Sequence, residues 1–202
     1  LAEMENRLKW IEQSRTSKPI LGVSIHDASS ELMERFNRQA AYLVDRSGLT
    51  GQSHSPVHDG SMWETNGTIN SPHDPMPAHV TFDLGSSYEL TGIHVWNYNE
   101  LNLHSVGARE VKISVSPTDD PDDLIPLTTP KGNFEFPQAD GTPTYRDFEV
   151  ALHDATNADA FAHVRLIRFA ILTNHGGDES LTGLSEAQFW GQKSGHEEIA
   201  TP

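Results

Sequence analysis

The stretch Asn97-Tyr98-Asn99-Glu100, followed closely by Asn102 and His104, concentrates planar amides, an acid and an imidazole in one short segment. Such groups can hydrogen-bond several hydroxyls at once, and Tyr98 offers an aromatic plane for the C–H face of a sugar ring, the pairing that saccharide sites use. A second segment, residues 173–183, adds Asn174, His175 and Asp178, with Gly176-Gly177 permitting close backbone approach. The same residue types also suit plain turns, because Asn bonds its own backbone and tolerates unusual dihedrals. Alternate residues of Trp96-Asn97-Tyr98 must in any case point inward if that segment is a strand.

Other constellations carry less. Glu100 and Asp178 could face each other as the two carboxylates of a glycosidase, which stand about 5–10 Å apart. No GxSxG elbow, Walker loop or GxGxxG supports an enzyme, so a non-catalytic chain is expected. His54 and His58 with Asp59 have the spacing of a helical metal pair, but Ser55-Pro56-Val57 between them forbids a regular helix, and a metal-free loop is expected. Asn66-Gly67-Thr68 fits a glycosylation acceptor. Trp63, Trp96 and Trp190 are expected in the core.

Composition narrows the partners. With 29 acidic against 14 basic side chains, a formal net charge of -15, the chain repels polyanions, so neither nucleic acid nor anionic lipid is an expected partner. The same surplus favours divalent cations, for which carboxylates are hard oxygen donors. Cysteine is absent, which removes disulfides, thiolate zinc sites and cysteine nucleophiles. No apolar run reaches the roughly 20 residues that span a bilayer, so membrane insertion is not expected. The chain opens on Leu1 in a charged segment and reads as a piece of a longer or processed protein.

The elements that would position these residues follow from periodicity. Leu1, Met4, Leu8 and Ile11 at heptad spacing predict a short amphipathic helix over residues 1–12, with a linker to 19. From Ile20 the period changes to two. Strands are expected over 20–26, 79–84, 90–97, 111–116, 145–152, 164–173 and 184–190. Val80, Phe82 and Leu84 alternate with Thr81 and Asp83, as in a half-buried antiparallel sheet. Leu32, Phe36, Ala40 and Leu43 suggest a helix between the first two strands.

Four ordered segments together resemble the discoidin, or coagulation factor 5/8 type C, family in its bacterial planctomycete-type variant. They are Ala28-Ser29-Ser30 with the stretch 40–49, Ser61-Met62-Trp63, Val80 to Gly85 with Tyr88 to Glu100, and Val164-Arg165-Leu166 through Asn174-His175-Gly176-Gly177 to 183–191. The resemblance covers about residues 20–192, leaving the helix and linker (1–19) and a tail (193–202) outside it. It implies an all-β galactose-binding-like jelly-roll β-sandwich, with the short N-terminal helix appended, whose loops 97–107 and 173–183 meet at one end. Asn97, Tyr98, Asn99, Glu100, His104, Asn174 and His175 are then the expected ligand-binding residues. It further implies a structural Ca²⁺ on Asp45, Ser61 and Glu186, although Ser61 stands where the family carries Thr and lies farther from Asp45 than is common. The function implied is non-catalytic carbohydrate binding within a larger secreted or envelope protein, extracytoplasmic in location. The alternative is a structural, adhesive or protein-interaction domain assembled through residues 1–12.

Overall fold

In the computed structural model the described residues are Met4, Leu8, Ile11, Glu12, 17–33, 35–57, 60–66, 76–177 and 181–194. Along them run strands β1 (Lys18–Pro19), β2 (Ser24–Ala28), β3 (Leu49–Thr50), β4 (Ser53–His54), β5 (Trp63–Glu64), β6 (Ala78–Asn97), β7 (Ala108–Ser116), β8 (Ile125–Pro126), β9 (Phe134–Glu135), β10 (Phe148–Glu149), β11 (Val164–Asn174) and β12 (Gly183–Lys193). Met4, Leu8, Ile11 and Glu12 are helical, and the other helical elements among the described residues are 3-10 turns of three or four residues. The helix expected over residues 1–12 and the tail 193–202 fall almost wholly outside the described residues, and Met4, Leu8 and Ile11 are exposed.

The two strands expected over 79–84 and 90–97 are one 20-residue strand, β6. Its first part pairs with β11, from Ile171↔Ala78 to Leu166↔Asp83, and with β2 on its other side. Its second part pairs with β12, from Leu184↔Asn97 to Lys193↔Tyr88, and with β10. Between the two parts, residues 84–87 stand opposite Arg165 alone, because Leu166 pairs with Asp83 and Val164 with Tyr88. A bulge of this kind bends a strand and raises its twist. Gly85 supplies the left-handed dihedral (φ +76°), and Arg165 closes on Asp83 at 3.2 Å. β6 is therefore shared by both layers of the sandwich, with β2, β11 and β7 in one and β12, β1, β5 and β10 in the other.

The core lies between the layers. Val80, Phe82, Ile93, Val95, Ile113, Phe169, Ile171 and Phe189 are all at most 1% exposed. Phe82 meets Phe169 of its own layer edge-on at 5.2 Å between ring centroids, and both meet Phe189 of the other layer in tilted pairs, at 4.9 and 6.4 Å, tying the two layers. A smaller cluster of Trp96, Ala139 and Tyr145, with Leu49 against it, covers the outer face of the second layer.

A further expectation is corrected. Residues 31–45 do not form the helix that their spacing suggests: Leu32 bridges Arg38, Asn37 takes a left-handed φ of 52°, and only Ala40–Leu43 makes a 3-10 turn. Pulling Arg38 into a buried ion pair competes with helix propensity and wins, since a buried charge left unpaired costs more than a few helical bonds.

Candidate functional site

The two loops expected at one end do meet. Gly107 bridges Gly183, and the His175 N–H donates to the Gly107 carbonyl at 3.1 Å. The Asn-rich segment that leaves β6, however, faces inward. Asn97 donates to the carbonyls of Ala108 and Pro137, each at 2.7 Å, and its Oδ1 accepts from the Tyr98 N–H. Asn99 donates to the carbonyls of His54 and Thr142, each at 2.9 Å, and accepts from the Gly141 N–H at 3.0 Å. Both side chains are fully buried with donors and acceptor committed, so they brace the loops rather than face solvent. Asn174 donates to the Leu181 carbonyl, and His175 Nε2 lies 2.9 Å from the Phe136 carbonyl. Burial holds the His175 imidazole below its usual pKa. His104 is partly exposed beside Gly141, and the loop tip exposes Leu101 and Leu103, with Asn102 between them at a left-handed φ of 66°. Asp178 lies outside the described residues.

Tyr98, expected as a stacking plane, is completely buried and has no open ring face. Its hydroxyl lies 2.6 Å from Glu100 Oε2 and 2.8 Å from Glu64 Oε2, and Arg38 Nη2 donates to Glu100 at 2.9 Å. Arg38 Nε is farther from Glu64, at 3.5 Å. A phenol has one hydrogen and cannot donate to both carboxylates. The cluster balances when Glu64 keeps its proton and gives it to the Tyr98 oxygen, Tyr98 donates to Glu100, and Glu100 pairs with Arg38. Burial, opposed by the Tyr98 and Arg38 contacts, pushes the Glu64 carboxyl above the usual range. Burial and the two carboxylates raise Tyr98 as well. Sequence reasoning missed Arg38 and Glu64. The one available signal was that Glu64 directly follows Trp63 in a segment already singled out.

The expected cation ligands come together in part. Glu186, 1% exposed, accepts the Arg46 N–H at 3.2 Å and is pushed up to about 9 by burial and by the carboxylate of Asp45. Asp45 is exposed and accepts the Ser47 N–H at 2.8 Å. Two carboxylates that repel each other, one of them buried, are a donor set a hard cation would relieve. Ser61 is committed elsewhere: its hydroxyl donates to the Val57 carbonyl at 3.1 Å, and its own carbonyl lies 3.2 Å from His54 Nε2. Among the described residues no three His, Cys, Asp or Glu side chains gather as a metal site. His54 is buried against backbone carbonyls and packs where a Cβ on Gly48 would sit 2.1 Å from its Nε2, so position 48 has room only for glycine. His58 and Asp59 lie outside the described residues.

Beside the second loop a groove of about 920 Å³ begins at Asn174 and Gly177 and runs past Arg109 and Asn133 to Phe148 and Glu149. The partly exposed Phe148 ring contacts Phe136 on its inner side, at 5.0 Å between centroids.

No protein-family model matches the chain, and no curated protein does. Solved structures do. A putative chitobiase fragment from Bacteroides thetaiotaomicron is 18% identical with a TM-score of 0.57, over 89% of this chain and 95% of that one. CBM32-3 from a family 31 glycoside hydrolase of Clostridium perfringens is 19% identical with a TM-score of 0.54, over 90% and 98%. The family 32 CBM of C. perfringens NanJ, solved with galactose, is 13% identical with a TM-score of 0.51, over 86% and 98%. At these identities the likeness is one of architecture: the chain has the all-β, galactose-binding-like sandwich fold of the F5/8 type C and CBM32 domains.

Proposed function

We propose that the chain is a non-catalytic carbohydrate-binding module of a larger extracytoplasmic protein, and that it holds glycan in the groove beside the second loop. The groove itself carries this reading. At about 920 Å³ it falls at the upper end of ligand-site volumes, and it offers an aromatic ring at Phe148 beside Arg109, Asn133 and Glu149. Asn174 is the member of the expected set that lines the groove, and Asn97 braces its wall through the Pro137 carbonyl, while Tyr98, Asn99 and Glu100 lie outside the lining. Solved modules of like fold include ones in complex with galactose and with GalNAc, which makes neutral galactose-type sugars the first probes. In the same reading Asp45 and Glu186 hold a Ca²⁺ that neutralises the pair and fixes the loop between β2 and β3.

Affinity electrophoresis against galactose- and GalNAc-terminated glycans, with calcium supplied, tests the proposal. Retention is expected, and Phe148→Ala should weaken it at least tenfold, the scale of one lost aromatic contact of about 1.5 kcal/mol. No retention on any glycan would sink it.

A further inference from the structure

The outer face of the second layer carries residues that neither the loops nor the groove use. His94 and Trp96 of β6, and Gln188 and Trp190 of β12, alternate with the core residues Val95, Ala187 and Phe189, so they project to the opposite side. Trp63 and Trp96 are buried as expected, but Trp190 is partly exposed. Its cross-strand partner is Gly92, which has no side chain to cover the indole, and the His94 ring flanks it at 5.6 Å and 48°. Together with Gln52, Arg46, Arg146 and Asp147 these side chains bound a concavity of about 420 Å³.

This concavity brings two arginines to one hollow. Arg38, Arg109, Arg165 and Arg168 each pair with a carboxylate. Arg46 and Arg146 form no ion pair among the described residues, yet both line the same hollow. Asp147, the one carboxylate on its wall, is tied to His94, whose Nδ1–H donates to Oδ2 at 2.6 Å. That bond fixes the ring and leaves Nε2 without a protein partner among the described residues. Two guanidinium groups outside any ion pair, Arg46 also within electrostatic reach of Glu186, form a local anion trap in a molecule of net charge -15, because each can grip a carboxylate or sulfate with two parallel hydrogen bonds. The open indole supplies a plane for the C–H face of a ring, and the Gln52 and Gln188 amides suit its hydroxyls. The surrounding negative field disfavours polyphosphates, which leaves a single acidic group on a sugar as the matching ligand.

We infer that this hollow on the outer face, bounded by Trp190, His94, Arg46 and Arg146, is a second binding site that takes an acidic sugar residue. It is independent of the groove beside the second loop. The charged group could be a uronate carboxylate or a sulfate ester, and the probes distinguish them. The whole chain is titrated by calorimetry with oligogalacturonate, with a sulfated oligosaccharide, and with a neutral oligosaccharide of equal length, while the Trp190 indole N–H signal is followed by NMR.

At least one acidic series should bind tenfold or more tightly than the neutral control and shift the Trp190 signal. The series that does so identifies the charged group. Arg46→Gln with Arg146→Gln should weaken binding at least tenfold; if circular dichroism shows that the pair does not fold, Arg146→Gln alone should weaken it severalfold. Failure of both acidic series, equal binding by the folded variant, or an unmoved Trp190 signal would each overturn the site. A chain that retains neutral glycans but ignores both acidic series refutes this site and spares the groove. The reverse result refutes the groove and spares this site.

Discussion

At the scale of single residues, the loop end is built around a proton. Two buried carboxyls, Glu64 and Glu100, share one tyrosine hydroxyl and one arginine, and burial raises Glu64 above its usual range, which favours the proton there. A carboxyl whose pKa is higher in the folded than in the unfolded chain holds its proton longer when folded. Its contribution is therefore complete below the ordinary carboxylate range and is lost as pH rises above it. Glu64→Gln keeps a donor in place of that proton and should flatten this part of the profile. Melting curves from pH 4 to 8 should show the wild type losing more than the variant toward high pH, by roughly 3 °C or more per kcal/mol of lost stability. A variant that falls in parallel with the wild type would remove the proton from Glu64. The sequence made Tyr98 and Glu100 visible as chemistry but misjudged their direction. A segment dense in Asn, Tyr and Glu looks the same whether it greets a ligand or braces neighbouring segments, since both tasks need oriented hydrogen bonds. What separates them is Arg38, which sits in a stretch whose spacing reads as helix.

At the scale of elements, the alternation in β6, β7, β11 and β12 was plain from the sequence because each keeps one face against the core. The joining of 79–84 and 90–97 into one strand was not, because Gly85-Ser86-Ser87 has the composition of a turn and only the pairing of β11 across the bulge shows otherwise. Short strands such as β5 and β9 left no period to read, and the strand expected over 145–152 is only β10, two residues long. One of them sets a tight contact. β5 pairs with β12 through Glu64↔Gly183, where a Cβ on Gly183 would stand 2.4 Å from the Trp63 carbonyl and 2.6 Å from the Tyr98 ring. Gly183→Ala should push β5 off β12 and open the Tyr98 cluster, costing about 1–3 kcal/mol as overpacking does. Urea unfolding at pH 7 measures it, and a midpoint unchanged from wild type would show that the strands yield freely.

At the scale of the whole molecule, a net charge of -15 means that any bound cation relieves both a local pair and a global repulsion. Calcium should raise the melting temperature, by the equivalent of about 2.7 kcal/mol at one hundred times its dissociation constant. Because Glu186 is raised to about 9, stability without the cation should fall from the ordinary carboxylate range up to that pH, and calcium should restore it most at the alkaline end. Glu186→Gln should abolish the calcium shift in scanning calorimetry; an equal shift in that variant would place the ion elsewhere. The pairing of β1 with β12, Lys18↔Gly191 and Pro19↔Trp190, has a directional consequence. The chain enters and leaves the sandwich side by side, one β12 length from Gly183 and the two meeting loops, or ~30 Å at 3.3 Å per residue. The sandwich is thus a stalk with a handle at one end and loops at the other. Tension applied through the handle would peel β1 from β12 bond by bond, while the loops and the groove beside them stayed assembled at the far tip.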